Sequence, residues 1–118
     1  MSEFIEKVLA KNVLFTNMPL DIEIKEKGFK GIYKSILYEY NIDLNLAKIG
    51  MPIHKGAYIK SPREVTLSVK AYSKNNLYLF NSLVYGIGKE SSVRFLIITV
   101  PDEIYRVQRR NYVRIPLC

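Results

Sequence analysis

Val65-Thr66-Leu67-Ser68-Val69-Lys70-Ala71-Tyr72 carries the clearest secondary-structure signal of this 118-residue chain. Apolar and polar side chains alternate along it, which is the period of a strand with one buried and one exposed face. The turn-forming residues 73–76 follow, and residues 77–85 are again rich in apolar and aromatic side chains. The sequence therefore predicts a β-hairpin in the middle of the chain.

Further strand signals lie on both sides of this hairpin. Residues 20–25 alternate between apolar and charged side chains, residues 32–40 are rich in β-branched and aromatic side chains, and residues 93–100 are mostly apolar. Turn signals separate these segments at residues 27–31 and 86–92. Short strands at this spacing predict an all-β fold, which we expect to be a small antiparallel β-barrel of the split-barrel type, from about residue 20 to residue 100.

The two ends of the chain are predicted to lie outside the barrel. Ser2 can cap a short N-terminal helix that runs to about Ala10. At the other end, Pro101-Asp102-Glu103 terminates the last apolar strand. We therefore predict one barrel domain over residues 1–103, followed by an interdomain linker that begins at residue 104 and continues to residue 118.

The composition narrows the class of function. The formal net charge of +7 favours an anionic partner. Because His54 is the only histidine and Cys118 the only cysteine, the chain lacks the residues for a Cys/His metal cluster or an internal disulfide. We predict a non-enzymatic, cytoplasmic protein that has no cofactor. Its longest apolar run, residues 95–100, is too short to insert across a membrane.

The basic stretch Arg106-Val107-Gln108-Arg109-Arg110-Asn111-Tyr112-Val113-Arg114 holds four of the six arginines. Arginine grips a phosphate or a guanine edge with a planar fork of donors, which lysine lacks. Arg110 and Arg114 are four residues apart, so both lie on one face of either a strand or a helix. Two interpretations remain open on spacing alone, a site for an anionic ligand and a basic segment that pairs with nearby carboxylates.

The sequence motif Gln-Arg-Arg-x-x-x-Arg, formed by Gln108, Arg109, Arg110 and Arg114, resembles the beginning of a PilZ domain in proteins of the YcgR flagellar-brake type. The resemblance implies that Arg109, Arg110 and Arg114 bind cyclic di-GMP, the ligand of that family. It also implies that the ligand reorients two β-domains, and that flagellar motor proteins are partners at the base of the motor. Shorter stretches similar to the N-terminal domain of these proteins occur upstream, at residues 31–35, 51–53 and 77–80.

One part of the family site does not occur in this sequence. PilZ domains complete the ligand site with Asp/Asn-x-Ser-x-x-Gly on their barrel, and no serine of this chain has those neighbours. The resemblance therefore implies an N-terminal domain, a linker and the first residues of a PilZ domain that is truncated before its barrel.

Two other functions stay open. A small basic barrel can bind single-stranded nucleic acid through lysines and surface aromatics, although Tyr33, Tyr38, Tyr72, Tyr78 and Phe80 fit a barrel core or its rim better. Tyr112 shares its parity with Arg110 and Arg114, so it can stack on a guanine or pack the linker onto a barrel. The other open function is that of a structural adaptor, which recognises a protein through an exposed strand edge. We favour the cyclic di-GMP receptor and regard nucleic acid as the weaker interpretation.

Overall fold

The computed structural model describes residues 5–25, 30–58 and 65–108, and strands make up most of this part of the chain. Its elements, in chain order, are β1 (Ile5–Leu9), α1 (Ala10–Val13), β2 (Pro19–Ile24), β3 (Gly31–Asn41), β4 (Leu46–Gly50), β5 (Ile53–His54), β6 (Ala57–Tyr58), β7 (Thr66–Tyr72), β8 (Asn76–Glu90), β9 (Val93–Thr99) and β10 (Glu103–Gln108).

Six of these strands close into an antiparallel barrel. The sheet runs from β8 through β7, β2, β3 and β4 to β9, and β9 pairs back with β8. The predicted hairpin is the β7–β8 pair, in which Val69 lies opposite Phe80. The prediction of an all-β antiparallel barrel is confirmed.

Strand β8 connects the barrel to a second, smaller ribbon. Its first half pairs with β7 along one edge and with β10 along the other, and its second half pairs with β9. Strands β9 and β10 therefore follow one another along the same edge of β8. Strand β1 pairs with the outer side of β10, so β1 and β10 form a two-stranded extension of the barrel wall.

Alternate side chains of the barrel strands fill its interior. On β7, Leu67, Val69 and Ala71 are buried and the intervening residues are not, which is the burial pattern that the alternation predicts. Burial of each large apolar side chain contributes roughly 1.5–3 kcal/mol, so this layer dominates the stability of the domain. The fully buried large side chains are Met18, Ile22, Ile24, Ile49, Leu67, Leu96, Ile98, Ile104, Val69 and Pro52.

The predicted N-terminal helix is wrong over most of its length. Residues 5–9 form strand β1, and only Ala10–Val13 are helical. Val8 pairs with the buried Ile104 of β10 and packs against the core, while Lys7 on the alternate position is exposed. Pairing with β10 therefore overrides the local helix signal, because tertiary contacts outweigh small propensity differences. Residues 1–4, which include the predicted cap Ser2, lie outside the described residues.

The predicted turn at residues 86–92 is shorter than the glycines indicate. Strand β8 continues to Glu90, and only Ser91 and Ser92 form the turn. Gly88 sits within the strand because the ring of Phe95 lies against it, and a Cβ at that position would overlap the ring. The glycine thus allows close side-chain packing on the sheet, as glycines within strands often do. The predicted turn at residues 27–31 lies mainly outside the described residues.

The sheet also extends past the predicted domain boundary. Residues 104–108 belong to β10, which pairs with β1 and β8, so they are part of the sheet and not of a linker. The sequence predicts a domain boundary at residue 103 because Pro101-Asp102-Glu103 interrupts the apolar run. Residues 100–102 connect β9 to β10, and the Asp102 carbonyl accepts a hydrogen bond of 2.9 Å from the N–H of Ala10.

A carboxylate on the outer face of the barrel joins three strands. Asp21 of β2 lies opposite Lys34 of β3 and Lys70 of β7. Its Oδ1 is 2.8 Å from the Lys34 ammonium, and its Oδ2 accepts a hydrogen bond of 2.7 Å from the Tyr72 hydroxyl. Partial burial raises the pKa of Asp21, but the hydrogen bonds from Lys34 and Tyr72 outweigh it, so the pKa lies below its usual value.

Replacing Asp21 with asparagine should lower the free energy of unfolding by about 1.5 kcal/mol at neutral pH, since hydrogen bonds to a charged group are lost. A pKa that is lowered in the folded state adds stability above the unfolded value, near 3.9, and this contribution is lost as pH falls through the folded value. Urea unfolding of both proteins across this range should therefore show the difference shrinking below about pH 4. Asp43→Asn, in the exposed β3–β4 turn, is the control. Equal losses in the two variants would contradict the prediction.

Candidate functional site

The predicted ligand residues Arg109, Arg110 and Arg114 lie outside the described residues, and so does Tyr112. The described chain ends one residue before them, at Gln108 of β10. The geometry of that strand therefore defines where the arginine segment begins relative to the barrel.

Strand β10 is held on both sides up to its last residues. Val107 lies opposite Ile5 of β1 and Leu77 of β8, and Gln108 lies opposite Asn76. The strand thus ends beside the tight β7–β8 turn. That turn is closed by hydrogen bonds from the Ser73 N–H to the Asn76 carbonyl, at 3.0 Å, and from the Asn76 N–H to the Ser73 hydroxyl, at 3.2 Å. The end of the strand that precedes the arginines in the sequence is therefore fixed at this end of the barrel.

Arg106, the first arginine of the cluster, is engaged by a carboxylate of the protein itself, whereas a ligand-binding arginine must be free to contact the ligand. Its guanidinium forms an ion pair with Glu6 on β1, and its side chain is about one-third exposed. Arg106 lies opposite the buried Tyr78, and within the described residues its buried Nε has no hydrogen-bond partner. Arg106 therefore ties β1 to β10, and for this residue the interpretation as a carboxylate partner is correct.

The aromatic side chains confirm the prediction of a core or rim location. Tyr33, Tyr78 and Phe80 are buried, and Tyr72 is half-buried against Asp21. Tyr38 lies at the rim, where its hydroxyl covers Gly50. Tyr33, Tyr72, Tyr78 and Phe80 are therefore committed to packing, whereas Tyr38 at the rim is 36% exposed.

An outward-facing row of side chains crosses the wall formed by β1, β10, β8 and β7. Lys7, Tyr105, Leu79 and Lys70 lie opposite one another on β1, β10, β8 and β7. Tyr105 is 46% exposed, and a shallow cavity of about 300 Å³ lies between it and β7. Sequence reasoning missed this surface because the four residues come from distant parts of the chain. The only sequence signal for this surface was the set of positions that alternation predicts to be exposed on each strand.

Among the described residues, no group of three or more His, Cys, Asp or Glu side chains is arranged to hold a metal ion. The helical part of the described chain is limited to short segments, and none is long and apolar enough to cross a membrane.

The chain matches the family described as flagellar protein YcgR over residues 16–101. The chain belongs to this family. The matched residues contain all six strands of the closed barrel, from the start of β2 to the end of β9, and the resemblance to the N-terminal domain of YcgR-type proteins is thereby confirmed. No curated protein matches the chain.

Membership of the YcgR family makes the barrel a regulatory domain related to flagellar motility. The match ends at residue 101, so it includes neither β1 and β10 nor the arginine segment. The match therefore gives no information on the β1–β10 ribbon or on the arginines.

Proposed function

We propose that this chain is the N-terminal regulatory domain of a cyclic di-GMP receptor that controls flagellar motility, and that Arg109, Arg110 and Arg114 are its part of the ligand site. The observation that carries the proposal is the position of β10. A YcgR-family barrel is followed directly by a strand that is paired on both sides and ends at Gln108, immediately before the arginines. A paired strand of this kind gives the segment a defined starting point, which a ligand site between two domains requires.

The chemistry of the arginines suits this ligand. Cyclic di-GMP offers two phosphates and two guanines, and a guanidinium can bind either group with two parallel hydrogen bonds. Arg110 and Arg114 share a face in a strand or a helix, so both can reach one ligand. Arg106 is excluded from this set, because its guanidinium is paired with Glu6.

The domain boundary moves with β10. We propose that the barrel domain extends to Gln108 and that the interdomain linker and the start of a PilZ domain occupy residues 109–118. In this arrangement ligand binding at the linker changes the orientation of the two domains. The protein acts without catalysis, in the bacterial cytoplasm at the base of the flagellar motor, and its protein partners are components of that motor.

The ligand class is tested by titration of a longer protein, in which these residues continue into a PilZ barrel. We expect saturable binding of cyclic di-GMP and weaker binding of a single-stranded RNA of about twenty nucleotides. A strand binder would instead prefer the RNA and lose affinity steeply as salt rises, because counterions are released from the phosphates. A preference for RNA with that salt dependence would replace the receptor by the nucleic-acid interpretation.

The boundary after Gln108 makes a prediction about stability. Arg110→Ala should change the free energy of unfolding of the 118-residue chain by no more than about 0.5 kcal/mol, as is usual for surface positions. Val107→Ala should cost more, because Val107 is a partly buried residue in a strand paired on both sides. Urea denaturation of the two variants provides the comparison. A loss of several times 0.5 kcal/mol for Arg110→Ala would show that the arginine is structural.

A further inference from the structure

Strand β1 has an edge that pairs with nothing in the described part of the chain. Every other described strand longer than two residues pairs along both of its sides, while β1 pairs only with β10. Among the described residues, the backbone N–H and C=O groups along the outer side of Ile5–Leu9 therefore have no strand partner. Such edges are the places where extended peptides add to a sheet.

The side chains of β1 divide between two faces. Val8 faces inward beside Ile104, and Glu6 is paired with Arg106. The other face carries the side chains of Ile5, Lys7 and Leu9, which occupy every second position of the strand. Ile5 is 56% exposed and Leu9 is 40% exposed, and Lys7 is exposed without an ion-pair partner among the described residues. The free edge thus presents one cation between two apolar side chains.

We propose that the β1 edge binds an extended acidic segment of another protein by strand addition. The backbone of the segment would hydrogen-bond to β1, a carboxylate would lie beside Lys7, and apolar side chains would lie beside Ile5 and Leu9. Cross-strand pairs of opposite charge and of apolar groups stabilise antiparallel strands, so the pattern apolar–acidic–apolar is the complementary one. This proposal is independent of the arginine site, because it uses a different strand and a different ligand.

The observations favour an acidic protein segment over a second copy of this chain. In the fully overlapped antiparallel register of two β1 strands, Lys7 would lie directly opposite Lys7 of the other copy. Like charges in that position are destabilising, and the net charge of +7 on each chain adds long-range repulsion. A partner segment with carboxylates avoids both the like-charge pair at Lys7 and the long-range repulsion between chains.

The test uses the 118-residue protein labelled with ¹⁵N and the capped peptide Thr-Val-Thr-Glu-Thr-Val-Thr, in which valine, glutamate and valine share one strand face. We expect the amide signals of residues 5–9 to shift on titration. The acidic peptide should bind about 1.5-fold to fivefold more tightly than the same peptide with lysine in place of glutamate, the range expected of one exposed charge pair. An edge that lysine merely protects from pairing would bind neither peptide, and that result would overturn the proposal.

Charge reversal at the edge gives the sharper comparison. Lys7→Glu should reverse the preference, so that the lysine peptide binds more tightly than the glutamate peptide. Lys89→Glu changes the net charge equally at an exposed position at the end of β8 and should leave the preference unchanged. The spectra of both variants without peptide report whether the fold is intact. Equal effects of the two variants, shifts confined to residues outside β1, or a dimer formed through β1 in sedimentation would each overturn the proposal.

Discussion

Replacing Leu67 with alanine should lower the free energy of unfolding by about 2–5 kcal/mol. Leu67 is fully buried near the start of β7, and β7 pairs with both β2 and β8 in the barrel wall. The truncated side chain would leave a cavity that paired strands cannot close, so the loss includes the transfer of the removed carbons and the missing packing.

Leu83→Ala is the matched control for this prediction. Leu83 is also a leucine in a barrel strand, but its side chain is 53% exposed on β8. Its truncation should change the free energy of unfolding by no more than about 0.5 kcal/mol. Urea denaturation followed by circular dichroism measures both variants. If they lost similar amounts of stability, the inward and outward assignment of the barrel residues would be wrong.

Cyclic di-GMP should bind the 118-residue chain at least about a hundredfold more weakly than a longer protein in which a PilZ barrel follows. Ordering the backbone of residues 109–114 costs roughly 1–2 kcal/mol per residue, or about 6–12 kcal/mol in total. Three bidentate arginine contacts at about 1–3 kcal/mol each supply about 3–9 kcal/mol, a range that lies about 3 kcal/mol below that cost. A second barrel would add contacts to the ligand and hold the segment in place before binding.

Isothermal titration of the two proteins under the same salt conditions tests this expectation. The longer protein should give a complete binding isotherm, and the 118-residue chain should give little heat at the same concentrations. Equally tight binding by the two would show that the arginines need no second domain.

The barrel could be predicted from sequence because its strands alternate clearly. On β7, every second residue from Leu67 to Ala71 is buried, so the period itself identifies the inward face. The errors fall where long-range pairing decides the structure. Residues 5–9 contain good helix formers, yet they form a strand because β10, from the other end of the chain, pairs with them. Nothing in the local sequence reports that pairing.

Long-range strand pairing also limits what the sequence predicts about the arginine cluster. From spacing alone, Arg106 belongs with the arginines that follow it. The register of β10 instead directs it toward Glu6 on β1, which assigns it a structural role. Lys7, at the centre of the open strand edge, was equally hidden, because an unpaired edge becomes visible only when the order of all strands is known.

The most direct measurement of the central claim is the affinity of the longer protein for cyclic di-GMP with Arg110 or Arg114 replaced. Each alanine variant should bind about fivefold to 150-fold more weakly, which corresponds to the loss of one bidentate contact. Arg110→Lys should also bind more weakly than the unmodified protein, because lysine retains the charge but not the fork of donors. Affinities that stay unchanged in Arg110→Ala and Arg114→Ala would contradict the assignment of these arginines to the ligand site.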